Sequence, residues 1–153
     1  MMSLASDVIL RLQGKTLATA ESCTGGGIGN ALTAVAGASN VYKGGIISYC
    51  NEAKHNLLNV PLSILARYGA VSAPVAEAMA SGARTALHTD IAISVTGLAG
   101  PSGDEFGNPV GTVYIGYADT ERCISRHYVF TGDRDSVRTQ TVNAALNLIL
   151  EYI

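Results

Sequence analysis

From Thr16 to Val95, short strand-like runs take turns with stretches of helical periodicity. That alternation restricts the chain to a sheet covered by helices on both faces. Thr16 to Ala20 predicts the first strand, and Ile28, Leu32 and Val35 predict a helix ended by Gly37. Gly45 to Tyr49 predicts the next strand, and Asn51 to Gly69 predicts two short helices broken at Pro61. Ser72 and Pro74 announce a longer helix carrying Val75, Met79, Ala83 and Leu87, whose alanines imply close packing on the sheet. Asp90 to Val95 has the apolar character of a strand buried on both faces.

The flanks complete the pattern. Leu4, Val8 and Leu12 place Ser3 to Gln13 on an amphipathic helix stopped at Gly14. Val110 to Ala118 and Cys123 to Phe130 form a hairpin about the polar turn Asp119 to Arg122, and Val137, Val142, Leu146, Ile149 and Ile153 mark a closing helix. The expected fold is α/β: a three-layer α/β/α sandwich whose five-stranded mixed sheet is mostly parallel, the hairpin reversing one strand.

Composition narrows the partners. A chain of 153 residues, 48% hydrophobic and 14% charged, implies one domain over residues 1–153. A net charge of −2 without a basic block argues against nucleic acid and against an anionic membrane surface. No apolar run reaches the ~20 residues that span a bilayer and no basic segment leads into one, so a soluble cytoplasmic protein is expected. Cys23, Cys50 and Cys123 are an odd, widely spaced set suited to reduced thiols, and the isolated His55, His88 and His127 give no zinc spacing. Neither a metal nor another cofactor is expected.

Ligands of open α/β sheets sit beyond the carboxyl ends of parallel strands, where the loops after Ala20, Tyr49 and Val95 converge. The first loop, AESCTGG, offers Ser22, Cys23 and Thr24 as nucleophiles at a helix N-terminus, whose N–H groups and dipole favour an anion. Ser22 or Thr24 is equally suited to capping that helix, but glycines crowded at Gly25, Gly26 and Gly27 favour close backbone approach to a ligand or a neighbouring element. The second loop, YCNEAK, pairs Tyr49 with Lys54; beside a serine, a desolvated lysine acts as general base and a tyrosine relays a proton or holds the geometry.

The third loop, TGLAGPSGDEFGNPVG, is too rich in glycine and proline for a mere connector. Its Thr96 hydroxyl is placed to orient a carboxamide, and the backbone at Gly97 and Leu98 to bind an oxyanion. A fourth cluster, GDRDSVR, puts Asp133 at a helix cap and Arg134 and Arg138 on one helix face, suited either to salt bridges or to a phosphomonoester.

AESCTGG, GGIISYCNEAK, GAVSAPVAEAMASGA and TGLAGPSGDEFGNPVGTVYIGYA, in this order, resemble the CinA C-terminal domain family over nearly the whole chain. The resemblance implies a three-layer α/β/α fold, a homodimer, and hydrolysis of the nicotinamide mononucleotide carboxamide to nicotinate mononucleotide and ammonia in pyridine nucleotide recycling. It implies this deamidase role without the nucleotide-processing domain that precedes it in two-domain relatives. It carries the nucleophile onto Ser22, the base onto Lys54 with Tyr49 assisting, and pocket lining onto Thr96 and Gly97. Backbone near Gly25 to Gly27 or at Gly97 then stabilises the oxyanion, Thr24, Gly25 and Gly26 line the substrate side, and Arg138, Arg134 or a helix N-terminus holds the phosphate. Cys50 stands where many relatives have serine. Two alternatives remain open on the residues: a non-catalytic nucleotide-binding module with Ser22 as a cap, and a Cys23-dependent amidase on another substrate.

Overall fold

In the computed structural model, which describes residues 3–153, Ser3 caps the first helix with its hydroxyl, which accepts the Ser6 N–H at 3.1 Å. That helix, α1 (Leu4–Arg11), leads to β1 (Leu17–Glu21), α2 (Gly27–Thr33), a 3₁₀ turn at Ala38–Asn40 and β2 (Tyr42–Ile47). α3 (Asn51–Leu58) and α4 (Leu62–Tyr68) lie on either side of Pro61, and α5 (Ala73–Leu87) and β3 (Ile91–Gly97) follow. β4 (Thr112–Ala118), β5 (Cys123–Val129) and α6 (Arg134–Tyr152) close the order.

The strands form one sheet in the order β2-β1-β3-β4-β5. β1 is parallel to both neighbours and β4 antiparallel to both of its own, so the hairpin reverses a single strand, as the sequence pattern predicts.

Side-chain alternation along β3 explains the two helical layers. Ile91, Ile93 and Val95 join Leu17 of β1 in a core filled by Val8 and Leu12 of the first helical segment, Ile28 and Leu32 of α2, and Val137, Leu146 and Ile149 of α6. The opposite face is built of small residues. Ala92 of β3 and Ala18 and Ala20 of β1 lie against Val75, Met79 and Ala83 of α5, with Leu58 and Leu65 of α3 and α4 beside them. Ser94 donates to the Ala76 carbonyl at 2.6 Å, and a Cβ on Gly116 would sit 2.3 Å from that same carbonyl. The alanine-rich helix therefore rests directly on a sheet surface stripped of bulk.

Two elements depart from the sequence pattern. β2 starts at Tyr42 rather than Gly45, because Gly44 and Gly45 pair with Ala18 and Thr19 although glycine carries no strand signal. There is no room there for more: a Cβ on Gly45 would meet the Thr19 and Tyr42 hydroxyls. α2 ends at Thr33, short of Val35, where the Thr33 hydroxyl turns back onto the Gly29 carbonyl at 2.8 Å.

Candidate active site

Glu21 ends a strand buried along its whole length, and its own side chain is only 2% exposed. An anion in that position requires partners. Its carboxylate accepts the Ile28 N–H at 2.9 Å, the Gly29 N–H at 3.0 Å and the Thr24 hydroxyl at 2.6 Å. The positive end of α2 is thus occupied by the chain's own carboxylate. This corrects the sequence expectation that those helix N–H groups await a ligand, and it gives Thr24 a structural partner.

Held from beneath by Glu21, the turn presents Ser22. The Ser22 N–H still bonds the Val95 carbonyl at 3.1 Å, so its position belongs to the sheet, and strand alternation turns its side chain away from α2 toward α3. Left-handed backbone at Gly25 and Gly26, φ 59° and 104°, then folds the chain back into α2. The Gly25 N–H donates to the Ser22 carbonyl and the Gly27 N–H to that of Thr24. Arg138 braces the same turn from α6, its Nε and Nη2 donating to the Cys23 and Thr24 carbonyls at 3.0 and 3.1 Å.

The second loop supplies the partner. Cys50 caps α3 with its sulfur accepting the Ala53 N–H, and Lys54 projects from the first turn on the cap's side of the helix. Lys54 is 1% exposed; its Nζ donates to Ser22 Oγ at 3.1 Å and to the Ser48 carbonyl at 2.8 Å. The ion pairs among the described residues are Arg122–Asp119 and Arg126–Glu151, so Lys54 has no carboxylate to hold its charge. Burial lowers its pKa from the ordinary 10.5, against a weaker opposing effect of the Cys50 and Cys23 thiols.

A cleft of about 330 Å³ opens above this pair, lined by Ser22, Cys23, Tyr49, Lys54, Thr96, Gly97 and Arg134 among others. Thr96 donates its hydroxyl to the Ala70 carbonyl at 2.8 Å, joining the cleft's far wall to the connection between α4 and α5. The Leu98 N–H is spent on the Thr112 carbonyl, which leaves the alternating Gly97 N–H turned from β4 toward the edge where β1 has ended. Arg134 bridges two loops, donating to the Gly100 carbonyl at 2.7 Å and to the Tyr49 hydroxyl at 3.1 Å. Tyr49 itself is 63% exposed.

Ser22, Lys54, Tyr49, Thr96, Gly97 and Arg134 therefore share one cleft, whereas Thr24, Gly25 and Gly26 form the turn without lining the cleft and Arg138 braces that turn. Cys23 also faces the cleft, but burial pushes its thiol up to about 11, so it is protonated at neutral pH. Asn51, Val71 and the segment Ala99 to Ser102 line the cleft as well, unassigned by sequence reasoning. Asn51 had a usable signal in its place beside Tyr49 and Lys54; Val71 had none, because only tertiary packing brings it there.

The family model of the CinA C-terminal domain matches residues 2–153. A CinA-like protein of a Geobacter species is 51% identical over 95% of this chain and 35% of its own length, and another from a Synechococcus species is 50% identical over 96% and 36%. The chain spans about a third of the length of these curated relatives. Among solved structures, competence damage-inducible protein A of Klebsiella pneumoniae aligns with a TM-score of 0.94 at 38% identity, over 97% of this chain and 93% of that one. A CinA superfamily protein of Escherichia coli gives 0.96 at 36% identity, over 98% and 88%.

Proposed function

The chain belongs to the CinA C-terminal domain family, and on that premise we propose that it is an amidohydrolase converting nicotinamide mononucleotide to nicotinate mononucleotide and ammonia. The observation that carries this reading is the buried contact between Lys54 Nζ and Ser22 Oγ at 3.1 Å. A buried lysine whose pKa is lowered, placed beside a serine hydroxyl, supplies a base beside a nucleophile.

Neutral Lys54 takes the Ser22 proton as Oγ attacks the carboxamide carbon. The Gly97 N–H, turned toward the cleft, is the donor best suited to the oxyanion, since those of Gly25 and Gly27 bond carbonyls of their own turn. Lys54 returns the proton to the departing nitrogen, ammonia leaves, and an ester on Ser22 remains. Lys54 then deprotonates a water that attacks the ester carbon, and returns that proton to Ser22 Oγ as the acyl–Oγ bond breaks and nicotinate mononucleotide leaves. The ribose phosphate lies toward Arg134, with Tyr49 holding that guanidinium in place. The same reading has the protein working as a homodimer on a small nucleotide substrate, without a metal or cofactor.

The test is ammonia release from nicotinamide mononucleotide by the purified protein, with Ser22→Ala and Lys54→Ala alongside. Turnover abolished in both variants with the fold retained supports the reading. Binding without turnover in the parent protein would instead make the cleft a nucleotide-binding module, and full turnover by Ser22→Ala would remove the nucleophile.

A further inference from the structure

Ser48 lies between the end of β2 and the cap of α3, and its main chain is committed on both sides. Its N–H donates to the Glu21 carbonyl at 2.8 Å and its carbonyl accepts Lys54 Nζ at 2.8 Å. Its hydroxyl is different. Ser48 is 0% exposed, and its Oγ is the buried side-chain polar atom that lacks a hydrogen-bond partner among the described residues. Other buried hydroxyls in this fold are satisfied: Ser72 by Gly69, Ser94 by Ala76, Thr96 by Ala70, and Thr141 by Val137. An unpaired buried hydroxyl is destabilising, and alanine would fill nearly the same space without that cost.

The proton count on Lys54 supplies a use for it. A neutral amine carries two N–H bonds and a lone pair: turned so that the lone pair meets the Ser22 hydroxyl, Lys54 keeps one N–H on the Ser48 carbonyl and has a second without an acceptor. Once Nζ accepts the Ser22 proton and the Oγ electron pair goes to the substrate carbonyl carbon, Nζ is an ammonium with three N–H bonds. One remains toward Ser22 and the departing nitrogen, and one stays on the Ser48 carbonyl. The third, without an acceptor already in the neutral amine, becomes a charged donor in a buried site, where an unmatched donor is most costly.

We infer that Ser48 is a positioning residue for Lys54: its hydroxyl rotates onto the Lys54 ammonium formed as Ser22 gives up its proton, and supplies the third acceptor. This rests on the Ser22–Lys54 chemistry proposed above. The hydroxyl itself neither gains nor loses a proton. It stabilises one protonation state of its neighbour, and therefore tunes the base rather than touching substrate.

The groups that otherwise face Lys54 are few. Cys23 approaches from the turn after β1 and Cys50 from the cap of its own helix, while Tyr49 and Arg134 stand across the cleft. Glu21 and Arg138 act on the Cys23 turn behind. α5 meets the back of α3 through Ala78, Ser81, Gly82 and Thr85, and the titratable Tyr42 and Lys43 of β2 are engaged at that strand's far end by Thr19 and Ser39. Removing a hydroxyl from Ser48 thus changes the ammonium's environment without disturbing another charge.

The experiment follows the Lys54 side-chain titration by NMR of the full-length protein labelled at lysine Cε, in the parent, Ser48→Ala and Ser48→Thr proteins, with no substrate present. The Lys54 pKa is expected to fall in Ser48→Ala and to return toward the parent value in Ser48→Thr. With nicotinamide mononucleotide, kcat in Ser48→Ala is expected to drop roughly 10–100-fold, the effect of one hydrogen bond to a charged group, with KM little changed and no loss of thermal stability. An identical Lys54 titration in the parent and Ser48→Ala proteins overturns the assignment, as does a loss of kcat matched by a loss of stability. If the parent protein releases no ammonia, the substrate reading fails while the titration still decides the role of Ser48.

Discussion

The Glu21 carboxylate accepts the Gly29 N–H at 3.0 Å, spanning the turn that carries Ser22 and tying the last residue of β1 to the start of α2. With the Ile28 N–H and the Thr24 hydroxyl also bound, its removal strands three donors inside the protein. Hydrogen bonds to a buried charge dominate here, so Glu21→Ala should cost roughly 2–5 kcal/mol. Urea unfolding monitored by circular dichroism checks this through the midpoint at an unchanged slope. A midpoint equal to that of the parent protein would mean the turn holds itself.

Lys54 sets the pH response. Its folded pKa lies below 10.5 because burial disfavours the ammonium, so the unfolded chain binds the extra proton between the folded value and 10.5. Stability contributed by this residue therefore rises with pH through that window, and the whole penalty is present below it. With Lys54 as the proposed base, kcat/KM should rise with pH along a limb lying below the ordinary lysine value. Lys54→Met should lose turnover by several orders of magnitude and flatten the stability change in that window. A stability profile that Lys54→Met leaves unaltered would show that the lysine titrates normally.

Cys23 shares the cleft with Ser22, yet its thiol is pushed up to about 11, chiefly by burial. At neutral pH so little thiolate exists that iodoacetamide should react slowly, and Cys23→Ala should retain turnover within a few-fold. The exposed Cys50 and Cys123 are the thiols expected to alkylate first. Mass spectrometry of tryptic peptides, taken alongside residual ammonia release, checks both. Inactivation in step with Cys23 alkylation, together with an inactive Cys23→Ala, would restore the cysteine mechanism.

The sheet was legible because its signals are local. Buried-type runs at Leu17 and Ile91, glycine and proline punctuation, and the small residues of α5 each act within a few positions of the chain. The convergence of Ser22, Lys54 and Thr96 also followed, since parallel strands must end at one edge. What stayed hidden was long-range hydrogen bonding. Nothing in AESCTGG distinguishes a carboxylate bound to the helix start from one left in solvent, and the predicted strand stops at Ala20, one residue short of Glu21. Likewise Arg134 and Arg138 share a helix face, and only tertiary packing separates a cleft residue from a brace. β2 extends further back than the pattern predicts because Gly44 and Gly45 pair with Ala18 and Thr19 of β1, where a Cβ on Gly45 would meet the Thr19 and Tyr42 hydroxyls, a fit that composition cannot express.

The two arginines should therefore separate in kinetics. Arg134 lines the cleft and spends its guanidinium on the Gly100 carbonyl and the Tyr49 hydroxyl, both at the cleft's edge, where a phosphate can replace or join them. Arg138 binds the Cys23 and Thr24 carbonyls of the turn that carries Ser22, contacts that hold the turn whatever the substrate. Arg134→Ala should raise KM for nicotinamide mononucleotide roughly 10–100-fold, the worth of a charge-assisted hydrogen bond, and leave KM for the unphosphorylated riboside nearly unchanged. Arg138→Ala should lower kcat for both compounds by the same factor and lower the melting temperature, because loosening the turn misplaces the nucleophile before either is bound. Steady-state ammonia release with the two compounds decides the matter. Equal KM changes for mononucleotide and riboside in Arg134→Ala would take the phosphate away from this side of the cleft, and a phosphate-selective defect in Arg138→Ala would move it behind the turn.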